Sequence, residues 1–506
     1  MKNLFISLGL LLITRIGMAQ ERPNIVFIIS DDHAYQAISA YGSKLAQTPN
    51  IDRIANGGAR FTNALVTNSI CGPSRACFIT GKYNHKNGFK TNESVHFDMT
   101  QEHFPRLLKN NGYQVAWIGK MHLEAIPQGF DYFKIVPQQG RYYNPVFISP
   151  NDTATYTGYI SDLITQFTTD WLDKRDTTKP FMLVVGEKAT HREWSPDIQD
   201  LGAYDDSTFA LPPTFFDDYN GRVAAQNQDM TISKTMQMAY DLKIHVDYDK
   251  SWVYRNMNKA QKDAYKAYYE DKISREFDSL KPTGKALAEW KYQRYLKDYL
   301  STAKSLDRNV GRILDYLDAH GLSKNTIVVY ASDQGFYMGE HGWFDKRFMY
   351  EESLKTAFLM RWPGKIKPGS VVNDMVLNID WGPTLMDAAG LKASPTMQGE
   401  SFLPIVTGKS YKNWRKAAFY HYYEYPEPHH VAPHFGVRTG KYTLIRFYGP
   451  HNDWELYDLK KDPTQVHNVY NDPAYAATKK ALTASLQQLI KKYDDKEAAE
   501  VLKKEM

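Results

Sequence analysis

Two pairs of adjacent side chains carry oxygen atoms that could bind a metal ion, and each pair follows an apolar run. Asp31-Asp32 comes directly after PNIVFIIS, and Asp333-Gln334 comes directly after TIVVYAS. Neighbouring carboxylates repel one another, so burying them requires a compensating cation. Because every donor is an oxygen, the set favours a hard divalent ion, Ca²⁺ or Mg²⁺, over zinc. Asp-Asp after a strand is by itself more often a helix cap, but the second pair favours the metal site.

A second set of side chains could bind an anion and move protons. Lys120 and His122 follow the run YQVAWI, His191 follows FMLVV, and Lys346 lies farther along the chain. Ammonium groups act as point charges on anionic oxygens, and a donor aimed at developing charge contributes roughly 3 kcal/mol. Histidine can serve as an acid or a base near neutral pH. Each histidine taken singly has an equal claim to a structural hydrogen bond.

The most specific pattern is CGPSR at residues 71–75, followed by Thr80-Gly81. It resembles the signature of the type I sulfatases, C-x-P-S-R-x-x-x-x-T-G, at every fixed position. The resemblance implies that a formylglycine-generating maturation enzyme oxidises Cys71 to formylglycine, whose aldehyde is hydrated to a diol. One hydroxyl then attacks sulfur to form a covalent formylglycine–sulfate intermediate, and the other expels sulfate. Arg75 would stabilise the diol and the segment around it. The alternative is that Cys71 is a buried structural thiol.

The same resemblance assigns the metal ligands. In the sulfatases the positions that match Asp31, Asp32, Asp333 and Gln334 bind one calcium ion, and the residue derived from Cys71 belongs to the same set. The amide ligand is usually Asn, so Gln334 departs from the family pattern while offering the same carbonyl donor. The choice between Ca²⁺ and Mg²⁺ stays open.

The resemblance also assigns the cationic residues to a sulfate ester as substrate. Lys120 and Lys346 would bind the sulfate oxygens, where charge develops as the S–O bond breaks. His122 would deprotonate the remaining hydroxyl, and His191 together with Lys346 would donate to the leaving oxygen.

Four apolar runs predict the strands that position these residues, at 23–30, 113–118, 181–185 and 326–332. Continuous apolar runs are typical of parallel strands buried on both faces. Because sites in open α/β sheets form at the carboxyl ends of strands, we expect the polar residues after them to converge. The expected fold class is therefore α/β. By resemblance it is an alkaline-phosphatase-like mixed sheet sandwiched by helices, with a smaller C-terminal α+β subdomain that contains an antiparallel sheet.

The chain divides into three parts. Residues 1–19 have the charged start, apolar stretch and small-residue cleavage site of a signal peptide. Residues 20–396 would form the catalytic domain, with a helical insertion at about 225–304. Residues 397–506 alternate in the manner of short strands and close with an amphipathic helix.

Composition excludes several other classes. The formal net charge is +5 over 506 residues, and no basic tract suggests nucleic-acid binding. No run after the signal peptide reaches the roughly 18 apolar residues of a membrane span, so no stable membrane insertion is expected. Only two cysteines are present, too few for a disulfide framework. The signal sequence predicts a periplasmic or secreted protein of a Gram-negative bacterium.

Local patterns suggest a subgroup. THREW at 190–194 and FDKR at 344–347 look like those of N-acetylglucosamine-6-sulfatases acting on glycosaminoglycans. Asp345 and His434 are the candidate contacts to ring hydroxyls of a sulfated saccharide, against surface or structural roles. The alternatives are a sulfatase for galactose or N-acetylgalactosamine 6-sulfate, a formylglycine-dependent phosphonate monoester or phosphodiester hydrolase, and a catalytically dead sugar-binding homologue. Endo or exo action and oligomeric state stay open.

Overall fold

The computed structural model describes residues 22–93, 96–409 and 411–504, so the predicted signal peptide lies outside the described residues. Its strands are β1 Asn24–Ser30, β2 Ala59–Phe61, β3 Ala64–Leu65, β4 Gln114–Lys120, β5 Tyr132–Val136, β6 Val146–Ser149, β7 Asp152–Thr155, β8 Phe181–Gly186, β9 Thr326–Ser332, β10 Phe358–Arg361, β11 Ser370–Val372, β12 Val376–Leu377, β13 Ala417–Tyr422, β14 His434–Thr439, β15 Tyr442–Phe447 and β16 Asp453–Asp458. 

The α-helices lie mostly between these strands. They are α1 Pro49–Asn56, α2 Cys71–Thr80, α3 Asn84–Asn87, α4 Phe104–Asn110, α5 Ile160–Lys174, α6 Val223–Gln226, α7 Lys259–Tyr265, α8 Arg275–Leu280, α9 Gly284–Ala319, α10 Glu351–Leu354, α11 Trp381–Ala388, α12 Leu403–Val406, α13 Ala476–Tyr493 and α14 Lys496–Lys503. A π-helix at Lys266–Ser274 joins α7 to α8. Among the described residues, no helix combines the length and apolar composition needed to cross a membrane.

A ten-stranded mixed sheet forms the main domain, in the order β11-β2-β10-β9-β1-β8-β4-β5-β6-β7. Its centre is parallel: β1 pairs with β8 and β9, and β4 pairs with β8 and β5. The four predicted strands are β1, β4, β8 and β9, with bounds within two residues of those expected. The predicted α/β fold class is confirmed.

Both faces of the central strands are covered, which explains their continuous apolar sequences. In β1, Val26 and Ile28 pack into a core with α1, α5 and α9 on one face. Ile25 and Phe27 pack with α2, α4 and α11 on the other. Side chains alternate between the faces along a strand, so a strand placed between two helical layers needs apolar residues at every position. The layers hold the carboxyl ends of these strands in register.

The segment at about 225–304 was predicted to be a helical insertion. Its first part is not regular helix, and its last part belongs to the main core. Residues 227–258 consist of turns and short loops, and regular helix begins with α7. The end of the segment is the first part of α9, which runs without a break from Gly284 to Ala319 and contributes Leu296, Leu300 and Leu306 to the main core. Apolar residues at helical spacing along the whole of α9 therefore tie this part to the sheet.

A four-stranded antiparallel sheet in the order β13-β14-β15-β16 forms the smaller C-terminal unit. Thr439 to Tyr442 makes the hairpin turn between β14 and β15, and the predicted terminal helix is α13. Phe402, Val406 and Trp414 still pack against the main sheet. The first strand of the smaller unit starts at Ala417, about twenty residues after the proposed boundary at 397. The domain boundary at 397 stays a prediction.

Candidate active site

The carboxyl ends of β1, β8, β4 and β9 bring the sequence-predicted residues to one edge of the main sheet. Asp31 and Asp32 follow β1, Lys120 ends β4, and Asp333 follows β9. All four of these side chains are fully buried. Cys71 begins α2 at the same edge and is 1% exposed. The parallel strands thus gather residues that are distant in sequence, as the strand-end argument requires.

The CGPSR segment and the Thr80-Gly81 pair mark the two ends of α2. Cys71 occupies the first helical position, where the unpaired backbone N–H groups and the helix dipole favour negative charge. A Cβ on Gly72 would lie 2.9 Å from the carbonyl oxygen of His122, so only glycine allows this close approach. Gly81 ends the helix in the left-handed region and donates its N–H to the carbonyl of Cys77. The motif therefore holds Cys71 at a fixed helix N-terminus.

Arg75 ties three of the strand ends together and is fully buried. Its Nε is 2.9 Å from Oδ2 of Asp333, and its Nη1 donates to the carbonyl of Lys120 at 2.9 Å. Nη2 donates at 3.5 Å to the carbonyl of Ser30, the last residue of β1. A planar guanidinium fixes several acceptors at once, so Arg75 holds the geometry of the cluster.

The carboxylates of the cluster crowd one another. Burial, opposed by Lys346 and reinforced by Asp31 and Asp333, raises the pKa of Asp32 to about 7. Burial and Asp31 likewise raise the pKa of Asp333 to about 6, against Arg75. The pKa of Asp31 is lowered, because Lys120 and other cations outweigh its burial. Three buried acids in contact are a costly arrangement that a divalent cation relieves.

Two buried oxygens in this cluster have no hydrogen-bond partner among the described residues. They are Oδ1 of Asp31 and Oε1 of Gln334. Ligand atoms of Asp31, Asp32, Cys71 and His191 all lie within 4.8 Å of one another. Gln334 reaches Oδ1 of Asp32 through its Nε2 at 2.5 Å. Orphaned oxygens among buried carboxylates are the donor set of a hard cation, so these residues fit Ca²⁺ or Mg²⁺.

Two ammonium groups flank the cluster. Lys120 pairs with Asp31 and is fully buried, while Nζ of Lys346 lies 2.8 Å from Oδ2 of Asp32. Burial disfavours the charge on Lys346, but Asp32 and its neighbours raise its pKa well above the usual range. Lys346 therefore stays cationic beside Cys71, as the predicted anion-binding role requires.

His122 is an uncharged imidazole at the same edge. Burial and the neighbouring Lys120 lower its pKa well below the usual value, against Asp31. Its Nδ1 has no hydrogen-bond partner among the described residues, and its Nε2 lies 3.2 Å from the side-chain amide of Gln139. The same Gln139 accepts a hydrogen bond from Lys120. A neutral imidazole can accept a proton, which agrees with the predicted role of a base.

His191 also lies close to Asp31, Asp32 and Cys71. Its Nδ1 is 2.6 Å from the carbonyl oxygen of Arg192, an acceptor that requires the proton on that nitrogen. Nε2 then faces Oδ2 of Asp32 at 3.8 Å. Burial and nearby lysines lower the pKa of His191, against Asp31. The nitrogen that faces the site is therefore Nε2.

Asp345 lies at the mouth of the cluster, next to Lys346. Its Oδ1 accepts the backbone N–H of Lys346 at 2.7 Å, and its Oδ2 is 3.1 Å from Nε2 of His429. Although burial opposes the charge, Lys346, Arg347 and His429 lower the pKa of Asp345 well below its usual range. Asp345 is thus a fixed carboxylate beside the predicted sulfate-binding lysine.

His434, predicted to contact the substrate, lies elsewhere, and the expectation is wrong for a direct contact. Its side chain is fully buried in the smaller sheet unit. Nε2 accepts the N–H of Met349 at 3.1 Å, and Nδ1 is 2.8 Å from the carbonyl of Ala432. The ring stacks on Phe348 and Tyr420. With both nitrogens bonded to main chain, the ring has nothing to offer a sugar.

Sequence reasoning missed three side chains of the site. Gln139 bridges Lys120 and His122, and His429 holds Asp345. Both come from loops that carry no motif. Lys188 is buried, with Nζ 4.7 Å from the ring centroid of Tyr142. It lies in the polar stretch after β8, so the strand-end argument that found His191 could have found Lys188 as well.

Both cysteines of the sequence lie in α2. Cys71 and Cys77 are both free and buried. Burial, reinforced by Asp31, raises the pKa of the Cys71 thiol well above its usual value. An unmodified Cys71 is therefore a protonated thiol and a poor nucleophile.

Cations and neutral imidazoles around carboxylates, at the carboxyl edge of an α/β sheet, suit the hydrolysis of an ester that carries negative charge. The profile of the family described as Sulfatase matches residues 23–391, and that described as N-sulphoglucosamine sulphohydrolase, C-terminal, matches residues 339–492. The chain therefore belongs to the sulfatase family and is an enzyme that hydrolyses sulfate esters.

Three relatives show how close the similarity is. An N-acetylglucosamine-6-O-sulfatase of Bacteroides thetaiotaomicron is 44% identical over 494 residues, which are 95% of this chain and 88% of the relative. A human N-acetylglucosamine-6-sulfatase is 26% identical over 441 residues, covering 82% of this chain and 70% of the relative. A structure solved in complex with its substrate D-glucosamine-2-N,6-O-disulfate superposes with a TM-score of 0.92 at 44% identity, covering 94% of this chain and 99% of that one.

Proposed function

We propose that this sulfatase removes the 6-O-sulfate of N-acetylglucosamine or glucosamine in glycosaminoglycan-type saccharides. The observation that carries the proposal is the position of Cys71, at the N-terminus of α2 and close to the carboxylate cluster and His191. The sugar is supported by the relatives, since one is named for N-acetylglucosamine 6-O-sulfate and another was solved with a 6-O-sulfated glucosamine.

Two groups complete this site in the proposal. Cys71 is the precursor of formylglycine, made by a separate maturation enzyme, and the hydrated aldehyde supplies the attacking hydroxyl. One Ca²⁺ ion, with Mg²⁺ as the alternative, would be held by Asp31, Asp32, Asp333, Gln334 and residue 71, and it would supply charge neutralisation at the reacting group. The orphaned oxygens of Asp31 and Gln334 support the ion. The protonated, buried thiol of Cys71 supports the need for its modification.

The chain's own cations bind and orient the sulfate group. Lys346 and Lys120 are buried ammonium groups that pair with different carboxylates, Asp32 and Asp31. A sulfate ester brings one negative charge, and more develops on its bridging oxygen as the S–O bond breaks. Because the lysines are held by Asp32 and Asp31, they need no reorganisation as that charge grows. The helix N-terminus at residue 71 adds to the same positive field.

Two histidines move the protons. His122 is neutral, and the side-chain amide of Gln139 donates to its Nε2, which leaves the lone pair on that nitrogen. Nε2 would therefore accept the proton of the hydroxyl that remains at residue 71. Nε2 of His191, the nitrogen that faces the site, donates to the leaving sugar oxygen when protonated, with Lys346 beside it. Gln139 positions His122.

Asp345 is the proposed contact to a ring hydroxyl. It is ionised and 7% exposed, and His429 holds it next to Lys346. A carboxylate fixed in this way discriminates between sugars by accepting a hydroxyl hydrogen bond, because a sugar without that hydroxyl would leave it unpaired. We also propose that the mature enzyme acts in the periplasm or outside the cell, on the signal sequence at residues 1–19.

A screen of defined sulfated saccharides tests the substrate. Sulfate release from N-acetylglucosamine 6-sulfate or glucosamine 6-sulfate is the expected result, and Cys71→Ala should abolish it. Activity confined to galactose, N-acetylgalactosamine or uronic acid sulfates would refute the sugar assignment.

Two further measurements test the chemistry. The intact mass of the peptide that contains Cys71, from enzyme made in its native host, should show the aldehyde in place of the thiol. A wholly unmodified thiol would favour a sugar-binding protein without activity. Aryl sulfate should be hydrolysed with a higher kcat/KM than an aryl phosphodiester, and the reverse order would point to a phosphodiesterase.

A further inference from the structure

The turn-rich residues 227–258, here called the rim segment, pack against both loops of the active site. Asp241 makes a two-point ion pair with Arg192, next to His191, at 2.6 and 2.9 Å. On the other side, the carbonyl of Met230 accepts the N–H of Phe344, next to Asp345. The rim segment therefore borders the site at both the proton-donating and the sugar-contacting ends.

The rim segment presents an aromatic surface to solvent. Trp252 is 54% exposed, and its ring stacks on that of Tyr240 with centroids 6.0 Å apart and an interplanar angle of 26°. Behind Tyr240, the guanidinium of Arg192 lies 5.0 Å from the ring centroids of both Tyr240 and Phe344. A row of flat groups thus leads from Phe344, beside Asp345, to the exposed face of Trp252. A large exposed aromatic ring supported in this way suits stacking on a sugar.

Two guanidinium groups lie at the same place. The backbone N–H of Arg255 donates to the carbonyl of Ser251 at 2.8 Å, a helical turn that puts Trp252 and Arg255 three residues apart on one side. Arg141 comes from the neighbouring strand connection, which the side chain of Asn144 joins to the carbonyl of Asn256 at 2.8 Å.

These two arginines are not neutralised. Neither forms an ion pair with a carboxylate of the described residues within 4.0 Å, and Nη1 of Arg141 is buried without a hydrogen-bond partner there. Burial and the neighbouring Arg255 lower the pKa of Arg141, with Glu193 opposing them. Like charges held together with a donor unsatisfied are the features of an anion site.

This positive patch is continuous with the catalytic cluster. Tyr142, next to Arg141, donates its hydroxyl to the carbonyl of His191 at 2.6 Å. The ammonium of Lys188 lies 4.7 Å from the ring of Tyr142. Tyr142 and Lys188 are both buried, so they connect Arg141 to the loop of His191 from below the surface.

We propose that Trp252, Tyr240, Arg141 and Arg255 form a second subsite, which binds a negatively charged sugar ring joined to the sulfated sugar. The ring would stack on Trp252, and its carboxylate or sulfate group would lie between Arg141 and Arg255. The inference rests on the proposed function, since it gives the enzyme an acidic oligosaccharide as its preferred substrate.

Kinetics with three substrates tests the subsite. They are N-acetylglucosamine 6-sulfate alone, the same sugar joined through its C1 oxygen to a uronic acid, and the same sugar joined to a neutral hexose. Wild type should have its highest kcat/KM on the uronic acid disaccharide. Trp252→Ala should lower kcat/KM on both disaccharides by roughly two- to tenfold, and Arg255→Ser should lower it roughly two- to fivefold on the acidic one alone. Both variants should keep the wild-type rate on the monosaccharide.

Matched controls are exposed side chains away from this surface. Phe216→Ala removes another exposed ring, and Arg275→Ser removes another exposed guanidinium. Both should retain the wild-type preference. The proposal is overturned if Trp252→Ala keeps the wild-type kcat/KM on both disaccharides and Arg255→Ser keeps it on the acidic one, or if wild type does not prefer the acidic disaccharide. A disaccharide with a sulfated hexose in place of the uronic acid shows which anionic group is preferred. If wild type has the same kcat/KM on both anionic disaccharides as on the neutral one, the charge assignment is also overturned.

Binding separates this inference from the proposed function. The Cys71→Ala enzyme cannot turn over, so the Kd of each saccharide can be measured by calorimetry. If wild type releases no sulfate from any of the substrates, the proposed function fails. Tighter binding of the acidic disaccharide that is lost in Cys71→Ala/Trp252→Ala would still support the subsite, and equal affinities would overturn it.

Discussion

Replacement of Arg75 by methionine should uncouple the strand ends that form the active site. The change removes the 2.9 Å contact to Asp333 and the hydrogen bonds to the carbonyls of Lys120 and Ser30. It also removes the guanidinium that pairs with the buried carboxylate of Asp333. Breaking a buried ion pair by removing one partner costs about 3–5 kcal/mol. The free energy of unfolding should fall by this amount, seen as a lower urea midpoint by tryptophan fluorescence.

The same variant should lose activity well below its unfolding midpoint. Arg75 sets the positions of Lys120 and Asp333 relative to Cys71, and a displacement of about 1 Å can cost on the order of 10²-fold in rate. Initial rates of sulfate release at low temperature measure this loss. Arg75→Lys keeps the charge but cannot reach all three acceptors, so it should recover part of the stability and little of the rate.

Arg438→Met is the matched control. Arg438 makes a buried two-point ion pair with Glu351 at 3.0 and 2.9 Å, from β14 in the smaller sheet. It should lose comparable stability while its folded fraction keeps the wild-type kcat. Equal loss of rate in the two variants, or a wild-type rate in Arg75→Met, would refute the reasoning that Arg75 positions the catalytic groups.

Three other outcomes follow from the site and its surroundings. Lys346→Ala should lower kcat by about 10²–10³-fold, as measured by initial rates, because it removes a buried donor aimed at developing charge. Chelator treatment should lower the melting temperature and added Ca²⁺ should restore it, because loss of the ion leaves Asp32 and Asp333 facing other carboxylates. In Asp32→Asn the change of melting temperature on chelation should be smaller. Although burial opposes it, Arg438 lowers the pKa of Glu351 to about 2. This carboxylate therefore stabilises the fold above its unfolded pKa of about 4.3, and the stabilisation is lost as pH falls toward 2. The stability gap between wild type and Glu351→Gln, measured by urea unfolding, should narrow over that range.

Controls for these outcomes come from exposed residues. Lys324→Ala, at the opposite edge of the sheet, should leave kcat unchanged. For Glu500→Gln, the difference from wild type in free energy of unfolding should not change with pH. A normal rate in Lys346→Ala would contradict its place at the sulfate group. Insensitivity of the melting temperature to chelator and Ca²⁺ would contradict a bound divalent cation. A difference in free energy of unfolding between wild type and Glu351→Gln that stays constant with pH would contradict the lowered pKa of Glu351.

Local sequence was enough to determine the central strands and the polar residues that follow them. Unbroken apolar runs identify strands covered on both faces, and the polar residues that end them must meet at one edge. Asp31 and Asp333 are about three hundred positions apart, yet their strands pair directly in β1 and β9. The motif at 71–81 was recognised from the sequence, but its helix, with Cys71 at the start and Gly81 directly after the end, comes from the structure.

Tertiary structure alone decided which polar side chains face the site. His434 begins a strand just as Asp31 follows one, but the packing of β14 turns its ring into a core where main-chain groups satisfy both nitrogens. Gln139 and His429 come from loops without a pattern and reach the site only because the chain folds back there. Local sequence determines the periodicity of an element. The direction and partners of a single polar side chain depend on contacts with segments far away in the chain.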